Sequence, residues 1–198
     1  MRATQKEIIR RLSSKQLKIQ VILSQFILLI LASIGSFLVF SSWKDFLSLF
    51  FIKNLSFISL AIISAVIFFL IDLLMMKYVP KKYWDDEGIN KKIFSSGNFF
   101  SIFFLCFIIA FVEEWLFRGV IQTQFGFIIA SILFAIVHFR YLFKPLLFIS
   151  IIVLSFWIGL VYEWSESLTI TFTLHFIMDF SLALYIRYSI RGDKHDRK

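Results

Sequence analysis

The sequence predicts an all-α fold, a polytopic membrane bundle of about six transmembrane helices with both termini cytoplasmic, and three observations predict it. Of its 198 residues 59% are hydrophobic, and the mean hydropathy is +0.83. A water-soluble domain of this size cannot bury that much apolar surface. Six apolar stretches each approach the roughly 20 residues that cross about 30 Å of hydrocarbon. Finally, basic residues fall on alternate connections. Six lie up to Lys18, five from Lys77 to Lys92, two at Arg140 and Lys144, and five from Arg187 onward, against only Lys44, Lys53 and Arg118 elsewhere. The positive-inside rule then puts both ends in the cytoplasm and requires an even number of crossings.

In chain order, the six stretches lie between Lys18 and Lys44, Lys53 and Asp72, Lys92 and Glu113, Arg118 and Arg140, Lys144 and Glu163, and Glu166 and Arg187. The first is expected to stay as an uncleaved helix, because its apolar run continues past Ala32 and Gly35 to Phe40. The longest polar interval, Lys77 to Asn98, carries Pro80, Asp85, Asp86, Glu87 and Gly88 and reads as a cytoplasmic loop. Its Tyr83 and Trp84 suit the membrane interface.

No repeat or linker divides the chain, so one membrane domain is expected over residues 19–190. A basic segment (1–18) precedes it and a solvated tail (191–198) follows. Ile8, Ile9, Leu12 and Leu17 let the basic segment be either an interfacial helix or a basic tail. The net charge of +8 lies at membrane edges, which implies anionic lipid headgroups rather than nucleic acid as its partner. Cys106 is the single cysteine, which excludes an intramolecular disulfide and a paired-cysteine metal site. The 27 phenylalanines read as packing and lipid-facing surface, with no spacing that singles any out.

Ionisable groups at membrane depth cost several kcal/mol (about 2.5–3.5 on insertion scales) unless partnered, so each marks a candidate functional site. Glu113 and Glu114 precede Arg118; helical spacing pairs Glu114 with Arg118 and turns Glu113 about 100° away. The unpaired glutamate can then act as a general base, although both could instead cap a helix end. Phe134 and His138 share a face four residues apart, as do His175 and Asp179. His138, near Arg140, can equally sit among headgroups. Asp179 can orient the His175 ring, or the two can form a structural hydrogen-bonded pair.

Together these clusters resemble the CPBP family, the CAAX proteases and bacteriocin-processing enzymes also called the Abi family. Its pattern is Glu-Glu-x-x-x-Arg, then Phe-x-x-x-His, then His-x-x-x-Asn or Asp, on successive membrane helices. Glu113, Glu114, Arg118, Phe134, His138, His175 and Asp179 match in order, with Phe117 and Gly119 flanking Arg118 as in the family. The resemblance covers about residues 99–187.

The resemblance implies an intramembrane endopeptidase of the cell membrane that hydrolyses a membrane-associated peptide or protein. Glu113 would activate water, with His138 holding it or shuttling its proton. Glu114 and Arg118 would brace the site, and His175 and Asp179 would match the oxyanion positions. No cofactor is expected, because a carboxylate tied to Arg118 is a poor ligand for zinc or another divalent ion. No serine elbow or zincin motif is present, and Cys106 sits in an apolar run without a base. Two rivals stand beside the peptidase: a non-catalytic partner such as a bacteriocin immunity protein, and a small transporter. Pro80 and Pro145, both at segment edges, give little sign of the broken helices of transporters. One tension remains in this reading. Glu113 falls toward the outer end of its segment and His138 toward the inner end of the next, yet the mechanism needs them together.

Overall fold

The computed structural model describes residues 12–95 and 97–195, with side chains to residue 189. The described residues are helical without a strand. Five helices are long and apolar enough to cross a bilayer: α1 (Ser14–Val39), α3 (Ser56–Tyr78), α5 (Phe99–Phe125), α7 (Pro145–Ser165) and α8, which runs Leu168–His195 with its apolar span at Leu168–Ser189. Short α2 (Trp43–Ser48) follows α1, and α4 (Ile89–Ser95) lies in the long polar loop. These spans make the chain an integral membrane protein.

The fourth expected segment takes a different form. It is α6, Phe127–Val137, an apolar helix of 11 residues. At about 1.5 Å per residue it rises some 16 Å, half of what a bilayer crossing needs. The boundary before it also moves. A break at Glu113 to Arg118 was expected, but α5 continues to Phe125 and turns at Gly126, whose φ of 83° favours glycine. Arg118 therefore marks no outer loop and is fully buried.

Residues 196–198, and residues 1–11 of the expected basic segment, lie outside the described residues, so the choice between interfacial helix and tail falls mostly outside them. The expected tail at 191–198 is helical as far as His195. At the other end, α1 is held by a capping box. Ser13 Oγ accepts from Gln16 N at 3.2 Å and Gln16 Oε1 accepts from Ser13 N at 2.8 Å, satisfying two backbone donors that a helix start leaves open.

Inside a bilayer, helices associate through close packing rather than water exclusion, and small residues permit it. Ala61 and Ala65, one turn apart on α3, are fully buried against Ile158 and Val161 of α7 and Ile170 and Leu174 of α8. Gly159 lets α6 and α7 touch: a Cβ there would sit 2.8 Å from the Phe127 ring and 2.9 Å from Ser131 Oγ. The phenylalanines do have a pattern, contrary to the first expectation. Phe99, Phe103, Phe107 and Phe111 form a ladder on α5 that meets Phe172, Phe176 and Phe180 on α8. Phe103 and Phe176 lie 5.1 Å apart, and Phe107 and Phe172 5.0 Å. The i, i+4 spacing of both series carries it. This ladder fixes α8 against α5 and so sets the height at which His175 meets Glu114.

Candidate active site

Glu113 and Glu114 lie near the middle of the 27-residue α5, where the helix loosens into a π-helix over Trp115–Gln122. Such widened turns often accompany functional sites. His138 terminates α6 halfway along the bundle, so the half-length helix removes the depth conflict that six full crossings would create. His175 and Asp179 come from the middle of α8. The six expected site residues fall into two contact groups, Glu114, Arg118, His175 and Asp179 in one and Glu113 and His138 in the other.

Glu114 is 1% exposed and holds two partners. Its Oε1 meets His175 Nδ1 at 2.9 Å, and its Oε2 lies 3.5 Å from Arg118 Nε. The guanidinium, with no exposure, spends its other donors on its own helix and on α6 and α7. Nη2 donates to the Ser155 carbonyl at 3.1 Å and to Ser155 Oγ at 3.2 Å, while Nη1 reaches Gln122 Oε1 at 3.4 Å and Ser131 Oγ at 3.5 Å. The Phe134 ring lies 5.3 Å from the Arg118 Cζ, a further contact for the cation. A buried charge pair is tolerable only when its remaining donors are satisfied in this way.

His175 has a carboxylate at each ring nitrogen: Glu114 at Nδ1, and Asp179 Oδ2 at 3.5 Å from Nε2. The i, i+4 contact with Asp179 is the one helical spacing suggested; the contact with Glu114 joins residues 61 apart. A ring nitrogen that donates to either carboxylate must carry a proton. Asp72 of α3 lies within electrostatic reach of Asp179.

Glu113 faces the other way, as its 100° offset requires. Gln25 of α1 donates from Nε2 to Glu113 Oε1 at 2.9 Å, while Glu113 Oε2 is buried with no hydrogen-bond partner among the described residues. His138 Nε2 lies 4.0 Å from that Oε2. The tautomer of His138 follows from its other nitrogen. Nδ1 is 2.8 Å from the Phe134 carbonyl, which can only accept, so Nδ1 carries the proton and Nε2 presents a lone pair in the neutral ring. The ring stacks on Phe134 at 4.9 Å, and Tyr141 lies nearly parallel to it at 6.3 Å.

Tyr141 is itself anchored by the polar loop. Its hydroxyl accepts from Arg140 and from Asn90 of α4, while Asp86 accepts from the Asn90 backbone. Burial pushes the Tyr141 hydroxyl up and the Asp86 carboxyl up from their ordinary values.

Both nitrogens of His175 and both oxygens of Glu114 lie against protein partners.

Gln25, Ser131, Ser155 and Gln122 escaped sequence reasoning. Their one signal was polarity inside apolar segments, which is weaker than charge because an uncharged side chain costs less to bury.

A family model described as "Type II CAAX prenyl endopeptidase Rce1-like" matches residues 95–181, which contain all six site residues. A curated protein of Bacillus subtilis (strain 168), uncharacterized protein YpbD, is 44% identical over 175 residues, covering 88% of this chain and 93% of its own. No solved structure matches the chain significantly. With all six motif residues inside the matched region, the chain belongs to the Rce1-like CAAX protease family, a member of the CPBP intramembrane proteases.

Proposed function

We propose that this protein is a multi-pass intramembrane endopeptidase of the cell membrane that hydrolyses a peptide bond by glutamate-activated water. The observation that carries the reading is the facing pair of acceptors, Glu113 Oε2 and His138 Nε2, 4.0 Å apart in a buried setting. Two acceptors at that separation suit one water that donates a proton to each. As the water oxygen attacks the scissile carbonyl carbon, Glu113 takes its proton. The C–N bond then breaks, and the proton passes to the departing nitrogen, leaving a carboxylic acid and an amine.

Glu114 and Arg118 hold the His175 ring in place. The Nε2–H edge of His175 faces Asp179, whose side chain is 27% exposed, the side from which a developing oxyanion can be met. Asp179, ionised, balances the imidazolium rather than donating to the oxyanion itself. In this reading the site works without a metal, since Glu114 and His175 are already held by protein partners and Glu113 supplies the base.

The name of the matching family model supports a prenylated peptide ending in a CAAX sequence as the first substrate to try. Comparative peptidomics of cells carrying the parental chain or Glu113→Gln tests the reading without assuming a substrate. A peptide that accumulates uncut only in the variant is the expected result. Identical peptidomes would favour a non-catalytic partner such as an immunity protein.

A further inference from the structure

We infer that Gln25, on the first transmembrane helix, is a positioning residue for the base Glu113, an inference that rests on the peptidase reading above. Gln25 is 5% exposed in the middle of α1, and its Nε2 donates to Glu113 Oε1 at 2.9 Å across 88 residues of chain. An ionised carboxylate accepts only, so the amide nitrogen must be the atom that faces it.

The consequence is a division of labour between the two carboxylate oxygens. Oε1 is occupied by Gln25, and the carboxylate plane is fixed with Oε2 turned toward His138 Nε2. Without the amide, the carboxylate plane would be free to swing, because this torsion is broad, and neither oxygen would be held toward His138. Gln25 thereby fixes the plane in which one oxygen receives the proton of the attacking water.

The neighbouring residues keep Gln25 in place. Leu28 and Ala32, one and two turns on, pack in the cluster around Leu116, Phe117 and Phe134. Gly35 of the same helix approaches Val120 so closely that a Cβ would lie 2.5 Å from its Cγ1. Helix α1 is thus seated against the π-helical stretch that follows Glu114. It contributes a residue to the site although it lies wholly outside the region matched by the family model.

The Gln25 amide oxygen is also buried with no hydrogen-bond partner among the described residues.

Two measurements on the full chain in detergent test the inference. The first is a double-mutant cycle in thermal stability with Gln25→Met, Glu113→Leu and the pair, each of which removes the contact. Gln25→Met is near in volume but donates no hydrogen bond, and coupled, non-additive shifts in Tm are expected from residues in contact. Additive shifts would overturn the contact. The second is cleavage of a quenched fluorogenic prenylated CAAX peptide. Gln25→Met should lower kcat about 10- to 100-fold, the range found for loss of supporting hydrogen bonds around a site, and Gln25→Asn, with its donor on a shorter arm, should fall between it and the parental chain. KM should change far less than kcat. An unchanged kcat alongside a coupled Tm cycle would make Gln25 structural only and overturn the positioning role. If the parental chain cleaved no peptide while the Tm cycle remained coupled, the peptidase reading would fail and the positioning role with it, but the contact would stand.

Discussion

Glu114 Oε1 and His175 Nδ1, 61 residues apart in the chain, meet at 2.9 Å in the interior of the bundle. That contact ties α5 to α8 and makes a buried charge network out of what the sequence offers as two separate motifs. Arg118, four residues on from Glu114, closes the network on the far side of the carboxylate.

Removing one member of this network leaves an uncompensated charge where no water can reach it. Arg118→Met should lower stability by about 3–5 kcal/mol, the cost of breaking a buried pair by deleting one partner. Thermal unfolding in detergent measures it. A Tm within error of the parental value would show that Arg118 does not compensate Glu114.

Asp179 faces His175 Nε2 at 3.5 Å and is partly exposed. Asp179→Asn keeps an oxygen that accepts from the ring and removes only the charge, so cleavage should persist with an altered pH profile. Asp179→Leu removes both and should lose far more of the activity. Equal activity in the two variants would mean that the contact with His175 is dispensable.

Gly159 is where α6 and α7 touch, and α6 carries His138 at its end. Gly159→Ala puts a methyl 2.8 Å from the Phe127 ring. Overpacking of this kind costs about 1–3 kcal/mol, and here it should also displace His138. The expected outcome is a lowered Tm together with a lowered kcat, read on the same purified sample.

Orientation is open to direct measurement. Lys53 and Lys81 flank opposite ends of α3. In a Cys106→Ala background, Lys81→Cys should react with an impermeant thiol reagent only when the cytoplasmic face is exposed, and Lys53→Cys only from outside. Labelling of both from one side would contradict the distribution of basic residues.

The sequence made the helical membrane class and the polar network legible for one physical reason: apolar segments tolerate few ionisable groups, so those present stand out. The half-length of α6 was hidden because hydropathy registers apolar residues and not the place where a helix stops. Gly126, with its positive φ, sets the start of α6, and the 3₁₀ turn after His138 sets its end. The phenylalanine ladder was readable in the i, i+4 spacing of residues 99 to 111 and 172 to 180 and was obscured by the abundance of phenylalanine elsewhere. Gln25 could not be linked to Glu113 from the sequence at all, since only tertiary packing brings α1 to the middle of α5.

The central claim is that Glu113 is the base, and the most direct measurement is the rate at which purified Glu113→Gln cleaves a prenylated CAAX peptide. The substitution keeps shape and removes proton acceptance. The account predicts a loss of about 10²- to 10⁴-fold, the usual contribution of a general base, with folding intact by Tm and the loss unrelieved by added zinc. Parental rates in Glu113→Gln, with activity abolished in Glu114→Gln instead, would contradict it and exchange the roles of the two glutamates.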